Sequence, residues 1–434
     1  MSYRYHRDVL PNGLRVVTVE APHLHSAMLT AYVRTGSRHE TLANNGVSHF
    51  LEHMFFRGSR GHRDTVRMNA RVEAVGGNLN GITTRDHGYY FTPHHPGHLG
   101  VAMGVLGDML TRPLLAQMEV ERQIILEEML DEVDERGRDI DLDNLSKMEL
   151  FGAHPLALKI AGTRESVRAL KKRQLLEHLR HHYVAGNLVV AAAGRVRRSE
   201  VLDTAARAFA RLPPGPTSVD GSPPPARPGP WFRFVTHEEA QTAFRLSFRT
   251  VPEHHPDFPA LQLLQRVLDD GLSSRLPFNV VEKRGLAYSV HAGMEAFHDA
   301  GVFEVEGASA PDKAARVVEE VCRTLGALCD ARVGGAELSR VKRRHRMFLE
   351  FAQDSAGELA GWFGGTELFR PPESFEERCR LIEAQTSDRL RKVARRYFTR
   401  ANLGVVAVGQ RTGVRALERA VHDAKGLPCS PPSS

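Results

Sequence analysis

The sequence has no long apolar run. None of its apolar stretches approaches the roughly 20 residues that a membrane-spanning helix needs. The opening segment MSYRYHRDVLPNGLRVV carries charges where a secretory signal has an apolar core. We therefore expect a soluble, cytoplasmic protein that does not bind a membrane.

Cysteine is scarce, with four among 434 residues, and all four lie in the C-terminal part of the chain at positions 322, 329, 379 and 429. Their spacing is not that of a zinc ribbon, and their density is far below that of a disulfide scaffold. Cysteine chemistry is therefore not expected to contribute to the function.

Segregated charge of one sign is also missing. The formal net charge is +6, but basic and acidic residues are interleaved in segments such as RHETLANN and DERGRDIDLD. Nucleic-acid-binding proteins gather basic residues into a patch that meets the phosphate backbone. We therefore predict no nucleic-acid partner.

A segment rich in Pro and Gly, LPPGPTSVDGSPPPARPGP, interrupts the chain near its midpoint. A chain of 434 residues exceeds what one hydrophobic core usually organises, so two domains are expected. The segment is typical of an extended linker. We predict an N-terminal domain over 1–211, a linker over 212–230, a C-terminal domain over 231–424 and a disordered tail over 425–434.

The two halves resemble each other. The first ends with HHYVAGNLVVAAAG (181–194) and the second with RRYFTRANLGVVAVG (395–409), each indicating a charged helix, a turn and a buried strand. Strands and helices do not alternate strictly along either half. This pattern predicts an α+β fold of two homologous domains, each a mostly antiparallel sheet packed with helices.

The segment GVSHFLEHMFFRGSR (46–60) places His49, Glu52 and His53 within an apolar pattern. Residues three and four apart share one face of a helix, so these side chains project together. Two neutral imidazoles suit zinc, whereas magnesium and calcium prefer oxygen ligands. Glu52 is placed to take a proton from a water molecule. A catalytic zinc site is predicted, and it needs a third protein ligand.

A second predicted helix offers carboxylates for that third ligand. The segment MEVERQIILEEMLDE (118–132) contains Glu119, Glu121, Glu127, Glu128 and Glu132. Glu121 and Glu128 lie seven residues apart, which is two helical turns on one face. Spacing alone does not choose between Glu121, Glu127 and Glu128.

Two motifs together resemble those of the M16 family of zinc metallopeptidases. H-F-L-E-H at 49–53 is followed by E-R-Q-I-I-L-E-E at 121–128, as in inverzincin peptidases. Other segments in family order are LPNGLRVV, GGNLNGITTRDHGYYF and EKRGLAYSV. The length and the two similar halves resemble the short branch of the family, in which two subunits close around a peptide substrate.

The resemblance implies a role for each residue of the first motif pair. His49, His53 and Glu128 are the implied ligands of one Zn²⁺ per catalytic subunit, and Glu52 is the implied general base. Glu121 is implied to lie near the metal and to orient a ligand histidine. The implied activity is hydrolysis of peptides or unfolded protein segments by a zinc-dependent endopeptidase.

A substrate-binding strand over residues 79–87, LNGITTRDH, is also implied by the resemblance. In the family this strand lies at a sheet edge, where an extended peptide adds through main-chain hydrogen bonds. Asn80, Gly81 and Thr83 are the implied cleft residues. Gly81 stands where the family usually has Ala, which is expected to loosen the strand slightly.

The second half departs from the family pattern of an Arg and a Tyr seven residues apart. Tyr288 matches the Tyr, an implied catalytic residue that stabilises the oxyanion, but Val281 stands at the Arg position. Lys283 and Arg284 are expected to point elsewhere. Losing one such donor costs about 10²- to 10³-fold in turnover.

Two interpretations follow from the missing Arg. The first is that the chain is the catalytic subunit of a homodimer, or of a heterodimer whose partner supplies Arg and Tyr. Alternatively, it is a non-catalytic or partner-dependent assembly or binding subunit on the same fold. The complete metal motif of the first half favours the enzyme.

Overall fold

The computed structural model describes residues 3–431, which divide into two compact units. The first unit comprises residues 3–129, 158–221 and 348–374, and the second comprises residues 130–157, 222–347 and 375–431. Each unit thus includes a segment from the other half of the sequence. This exchange was not foreseen, and the boundaries proposed from the sequence stay a prediction.

The strands of the described residues are β1 (Arg4–Val9), β2 (Arg15–Glu20), β3 (Ala27–Val33), β4 (Asn80–Thr83), β5 (Gly88–His94), β6 (Leu188–Gly194), β7 (Trp231–Thr236), β8 (Thr242–Thr250), β9 (Ser289–Ala296), β10 (Gly301–Ser309) and β11 (Leu403–Gly409). Their order is β1-β2-β6-β3-β5-β4 in the first sheet and β7-β11-β8-β10-β9 in the second. Neighbouring strands are antiparallel, except for the parallel pairs β2–β6 and β7–β11. From β2 and β7 onward the two orders correspond strand for strand, which confirms the predicted α+β fold with two similar sheets.

The helices of the same residues are α1 (Val47–Phe55), α2 (Thr65–Glu73), α3 (Leu99–Thr111), α4 (Met118–Glu128), α5 (Leu142–Phe151), α6 (Arg164–Ala169), α7 (Lys172–His182), α8 (Arg198–Ala208), α9 (Phe258–Leu268), α10 (Ala314–Asp330), α11 (Gly335–Ala352), α12 (Ala356–Ala360), α13 (Phe375–Glu383), α14 (Ser387–Tyr397) and α15 (Val414–Asp423). None of these helices is both long enough and apolar enough to cross a membrane.

The two faces of the first sheet differ. Along β3, Leu29, Ala31 and Val33 are buried in a core shared with α1 and α3. Side chains alternate along a strand, so Thr30 and Tyr32 point to the opposite, outer face. Residues 356–365 of the same unit lie against that outer face. The inner face therefore supports the metal-motif helix α1.

The second sheet is built on the same plan. Its inner face packs against α9, α10 and α14, where Phe248 and Leu264 are fully buried. On its outer face lies α5, whose Leu145 and Phe151 pack against Val406. Each sheet is thus covered on its outer face by a segment from the other half of the sequence.

The predicted helix over MEVERQIILEEMLDE (118–132) ends earlier than expected. Helix α4 stops at Glu128 and is followed by a single 3₁₀ turn, Met129–Glu132. Within the second unit, the Glu132 carbonyl accepts a hydrogen bond from the Ile140 N–H at 2.9 Å, and its carboxylate accepts one from Asn144 at 3.0 Å. These longer-range hydrogen bonds override the local helix propensity.

The predicted linker has neither helix nor strand over residues 213–228. Its first part is attached to the first unit, because Asp220 forms ion pairs with Arg34 at 3.2 Å and with Arg38 at 2.8 Å.

The start of the predicted disordered tail is ordered. Leu427 is buried, and the N–H groups of Arg400 and Ala401 donate to the carbonyls of Pro428 and Cys429 at 2.8 and 3.1 Å. That prediction is therefore wrong for residues 425–429, while residues 432–434 lie outside the described part of the chain.

Candidate metal centre

The first turn of α1 is held by Glu40. Its carboxylate accepts hydrogen bonds from the N–H groups of Gly46 at 2.7 Å and Ser48 at 2.8 Å. An acidic group is favourable there because the free N–H groups carry partial positive charge. Gly46 has φ +92°, a left-handed conformation that glycine adopts without strain. The position of His49, which follows Ser48 in this turn, is thereby fixed.

Helix α1 divides into an apolar face and a polar face, as its sequence predicts. Phe50, Leu51 and Met54 are fully buried in the core of the first unit. The imidazole rings of His49 and His53 lie on the other face with centroids 4.6 Å apart.

Helix α4 lies beside α1 and presents two carboxylates to it. Arg122 secures α4, since its guanidinium donates to the carbonyls of Val167 and Leu170 and lies 5.3 Å from the ring centroid of Phe50. Glu121 and Glu128, on the same face of α4, then reach the polar face of α1.

Three potential ligand atoms converge between the two helices. His49 Nε2 lies 3.7 Å from one carboxylate oxygen of Glu128, and His53 Nε2 lies 3.4 Å from the other. The three residues offer donor atoms within 4.8 Å of one another. Zinc bonds of about 2.0–2.2 Å in tetrahedral geometry separate ligand atoms by about 3.4 Å. The donor types and spacings therefore fit a zinc ion.

Glu121 contacts the outer side of this cluster. Its carboxylate lies 3.0 Å from His53 Nδ1 and accepts a hydrogen bond from Arg57 Nε. With Nδ1 engaged, His53 directs Nε2 toward Glu128. His49 differs, because its buried Nδ1 has no hydrogen-bond partner among the described residues.

The pKa shifts of His49 and Glu128 suit metal binding, whereas that of His53 opposes it because it favours the protonated imidazole. Burial, and then the neighbouring His53, lower the pKa of His49 to about 4. A hydrogen bond with His53 lowers the pKa of Glu128. Burial lowers the pKa of His53, but hydrogen bonds to Glu128 and Glu121 outweigh it and the pKa is raised. At neutral pH His49 is thus neutral and Glu128 ionised, the forms that bind a metal.

Glu52 lies between the ligand histidines in sequence and contacts the edge strand. Its carboxylate accepts a hydrogen bond from the Thr83 hydroxyl, and burial raises its pKa. A Cβ on Gly81 would lie 3.0 Å from both Glu52 Cγ and the Phe56 ring. Glycine here allows β4 to approach Glu52 closely, a role that its sequence position did not suggest.

The predicted substrate strand is shorter than residues 79–87. Strand β4 covers Asn80–Thr83 at the edge of the first sheet, and a turn at 84–87 leads into β5. Gly81 and Thr83 face α1, whereas Asn80 faces the outer side because side chains alternate. The implied cleft residues are therefore divided between the two faces of the strand.

The second unit places the remaining candidate at its surface. Tyr288 is 90% exposed immediately before β9, the edge strand that corresponds to β4. Val281 packs against the core of the second unit. Arg284 is engaged in an ion pair with Glu320 at 3.1 Å. The described residues of this unit thus offer the Tyr without the Arg.

Three contributors to the site were missed in the sequence. Arg57 could have been found, because it lies four residues after His53, just past the end of α1, at the spacing that continues the face of His53. The contact of Thr83 with Glu52 joins residues 31 positions apart, which no local pattern indicates. The contacts of Glu40 with Gly46 and Ser48 depend on how the intervening loop turns back to α1.

Two family models match the chain in succession. The model described as Insulinase (Peptidase family M16) matches residues 15–164, and the model described as Peptidase M16 inactive domain matches residues 169–344. An uncharacterized zinc protease of Mycobacterium tuberculosis is 31% identical over 422 residues, covering 95% of this chain and 94% of the relative. A probable mitochondrial-processing peptidase subunit beta of Arabidopsis thaliana is 27% identical, covering 92% of this chain and 77% of that protein.

Solved structures share the fold. A protease from Helicobacter pylori has a TM-score of 0.87 at 21% identity, covering 94% of this chain and 100% of that chain. A chain of complex III2 from Candida albicans has a TM-score of 0.80 at 16% identity, covering 96% and 99%. The near full-length match at 31% identity, together with the two family models, shows that the chain belongs to the M16 peptidase family.

Proposed function

We propose that the chain is a zinc-dependent endopeptidase that hydrolyses peptides or unfolded segments bound in extended form. The observation that carries the proposal is the convergence of His49, His53 and Glu128, with Glu52 on the same helix. Full-length similarity to proteins named zinc protease supports it.

Zinc bound by those three residues would polarise a peptide carbonyl and ease the ionisation of water. Glu52 accepts the proton of the attacking water and delivers it to the leaving amine. Its raised pKa makes it a stronger base than an ordinary carboxylate, and the Thr83 hydroxyl fixes its orientation. Edge strand β4 holds the substrate main chain by pairing with it.

The proposal includes a dimer, either of this chain or with a second M16-type subunit, in which Tyr288 stabilises the oxyanion. The exposure of Tyr288 makes its hydroxyl accessible to a bound peptide. The second candidate is a non-catalytic or partner-dependent subunit. Val281 at the Arg position favours this candidate, and the fold is also found in a chain of complex III2.

The test is cleavage of a quenched fluorescent peptide pool by the zinc-loaded chain and by Glu52→Gln, with the molecular mass measured in the same samples. Glu52→Gln keeps all three ligands, so we expect unchanged zinc content and turnover reduced about 10²- to 10⁴-fold. Equal turnover in both proteins contradicts the role of Glu52. Zinc binding without turnover in either protein favours the partner-dependent subunit.

A further inference from the structure

The outer face of the first sheet carries a cavity that the proposed hydrolysis does not use. Its volume is about 400 Å³, within the range of roughly 300–1,000 Å³ for ligand pockets. We call it the aromatic cavity, and its walls include Tyr32, Tyr89, Phe91, Phe348, Gly361 and Trp362. All of these residues belong to the first unit.

Aromatic rings line the sheet side of this cavity. Tyr32 and Tyr89 stack across β3 and β5 with centroids 5.7 Å apart, and Tyr89 and Phe91 stack along β5 at 5.8 Å. On the opposite wall the Phe348 side chain is 51% exposed. Part of this apolar wall is therefore accessible from the cavity.

Strand register connects the aromatic cavity to the substrate edge. On β4, Ile82 lies directly opposite Tyr89. Residues opposite each other in a sheet share a face, so Ile82 extends the outer face toward the edge. Ile82 is 40% exposed there. The next residue, Thr83, faces Glu52.

The side chains of a peptide paired with β4 alternate between the same two faces. Every second side chain points toward the α1 face, and the others point to the outer face. An outward side chain lies beside Ile82 and about 9–10 Å from the main chain of β5. Only a long apolar side chain crosses Ile82 to reach the ring of Tyr89.

Resting on the proposed function, we propose that the aromatic cavity binds an outward-facing aromatic side chain of the peptide paired with β4. The substrates are then extended segments with large aromatic residues at positions that face away from Glu52. Glu358 also lines the cavity, so an acidic side chain at these positions is repelled.

A cavity-filling variant tests this assignment. Gly361 has helical φ −61° and ψ −51°, and a Cβ there meets only Tyr32 Oη at 4.0 Å. Gly361→Leu therefore fits the backbone and fills the cavity. Gly104→Leu is the matched control, because a Cβ on Gly104 meets nothing within 4 Å and the residue lines a different cleft of the same unit.

The first readout is kcat/KM for two peptides that differ only by Phe or Ser at one outward position. We expect the wild-type chain and Gly104→Leu to prefer the Phe peptide by about 10- to 100-fold, from burial of one aromatic side chain. Gly361→Leu should lose the preference, because its kcat/KM for the Phe peptide falls toward that for the Ser peptide. An unchanged preference in Gly361→Leu, or none in the wild type, overturns the proposal.

A second readout separates the cavity from catalysis. Trp362 is one of only two tryptophans in the sequence, and the other, Trp231, is buried in the second unit. We expect the Phe peptide, and not the Ser peptide, to change tryptophan emission of zinc-loaded Glu52→Gln, and Trp362→Phe to abolish the change. Failure of the wild type to cleave either peptide contradicts the proposed function alone. An absent emission change instead overturns the proposal that the aromatic cavity binds the Phe side chain.

Discussion

Helices α1 and α9 hold equivalent places in two sheets of the same strand order, yet only α1 carries a potential ligand set. The spacing of its two histidines and glutamate recurs in α9 as Gln262, Gln265 and Arg266. Polar residues on one face of a core helix are thus common to both units. The groups that these polar residues contact determine whether they stabilise the fold or form a potential ligand set.

In α9 the polar side chains serve the fold. Gln265 donates to the carbonyls of Asp269 and Ala292 at 3.0 and 2.9 Å, and Arg266 pairs with Asp270 at 3.0 Å. Each group is satisfied by its own unit. In α1 the histidines instead converge on the carboxylate of Glu128. The candidate metal centre therefore depends on the facing helix α4 as well as on the spacing within α1.

The outer faces of the sheets differ in the same way. In the second unit, Lys147 of α5 is fully buried and lies 2.8–2.9 Å from Asp143, Glu295 and Glu304. In the first unit the corresponding face is lined by aromatic rings around a cavity. The outer face of the second sheet thus carries a charge network, whereas the outer face of the first sheet carries a cavity.

Removal of a ligand should produce the largest difference between the helices. We expect His49→Ala to lose zinc and to lower turnover by about 10³-fold or more, since Lewis-acid catalysis contributes several kcal/mol. Gln262→Ala removes the acceptor of an Arg378 hydrogen bond and should retain zinc and turnover. Metal analysis and peptide hydrolysis on both variants check this prediction. Equal losses of zinc and turnover in the two variants would refute the proposed difference between α1 and α9.

Tyr288 tests whether the second unit contributes to chemistry. Tyr288→Phe removes only the hydroxyl, and we expect turnover to fall about 10²- to 10³-fold, the effect of losing one oxyanion donor. The thermal midpoint should not change because the side chain is 90% exposed. Unchanged kcat would show that the Tyr288 hydroxyl does not contribute to the reaction.

Glu121 should have a smaller effect, on metal affinity. In Glu121→Gln, His53 Nδ1 and Arg57 lose their carboxylate partner, and we expect the zinc Kd to rise about 10- to 100-fold. Glu127→Gln is the control because Glu127 lies on the exposed side of the same helix. Competition with a fluorescent zinc chelator measures both variants, and similar Kd values for the two would exclude an orienting role for Glu121.

Acid should destabilise the first unit before the second, through buried histidines. Burial lowers the pKa of His39 and His182 to about 4 and that of His178 well below its ordinary value. The unfolded chain binds protons near pH 6.5 while these folded groups do not, so stability falls as the pH drops from about 6.5 to 4. In the second unit, burial likewise lowers the pKa of His345 to about 4. Hydrogen exchange at pH 7 and 5 should show greater opening of the first unit, and equal opening would contradict this prediction.

Local patterns were enough to predict the polar face of α1, because helix geometry alone brings His49, Glu52 and His53 together. The choice of Glu128 came from family resemblance, and its place beside the histidines required the packing of α4 on α1. The exchange of residues 348–374 into the first unit has no local signal, so the aromatic cavity was not foreseen. A cytoplasmic location stays a prediction.

The most direct test is anomalous diffraction at the zinc edge from crystals of zinc-loaded Glu52→Gln. The described residues contain two clusters with metal-ligand spacing, His49–His53–Glu128 and Asp143–Glu295–Glu304, and the second is already ion-paired with Lys147 and Arg245. We predict one peak per chain, bonded to His49, His53 and Glu128. A peak at the carboxylate cluster, or none at the histidines, would contradict the assignment of the metal centre to the first unit.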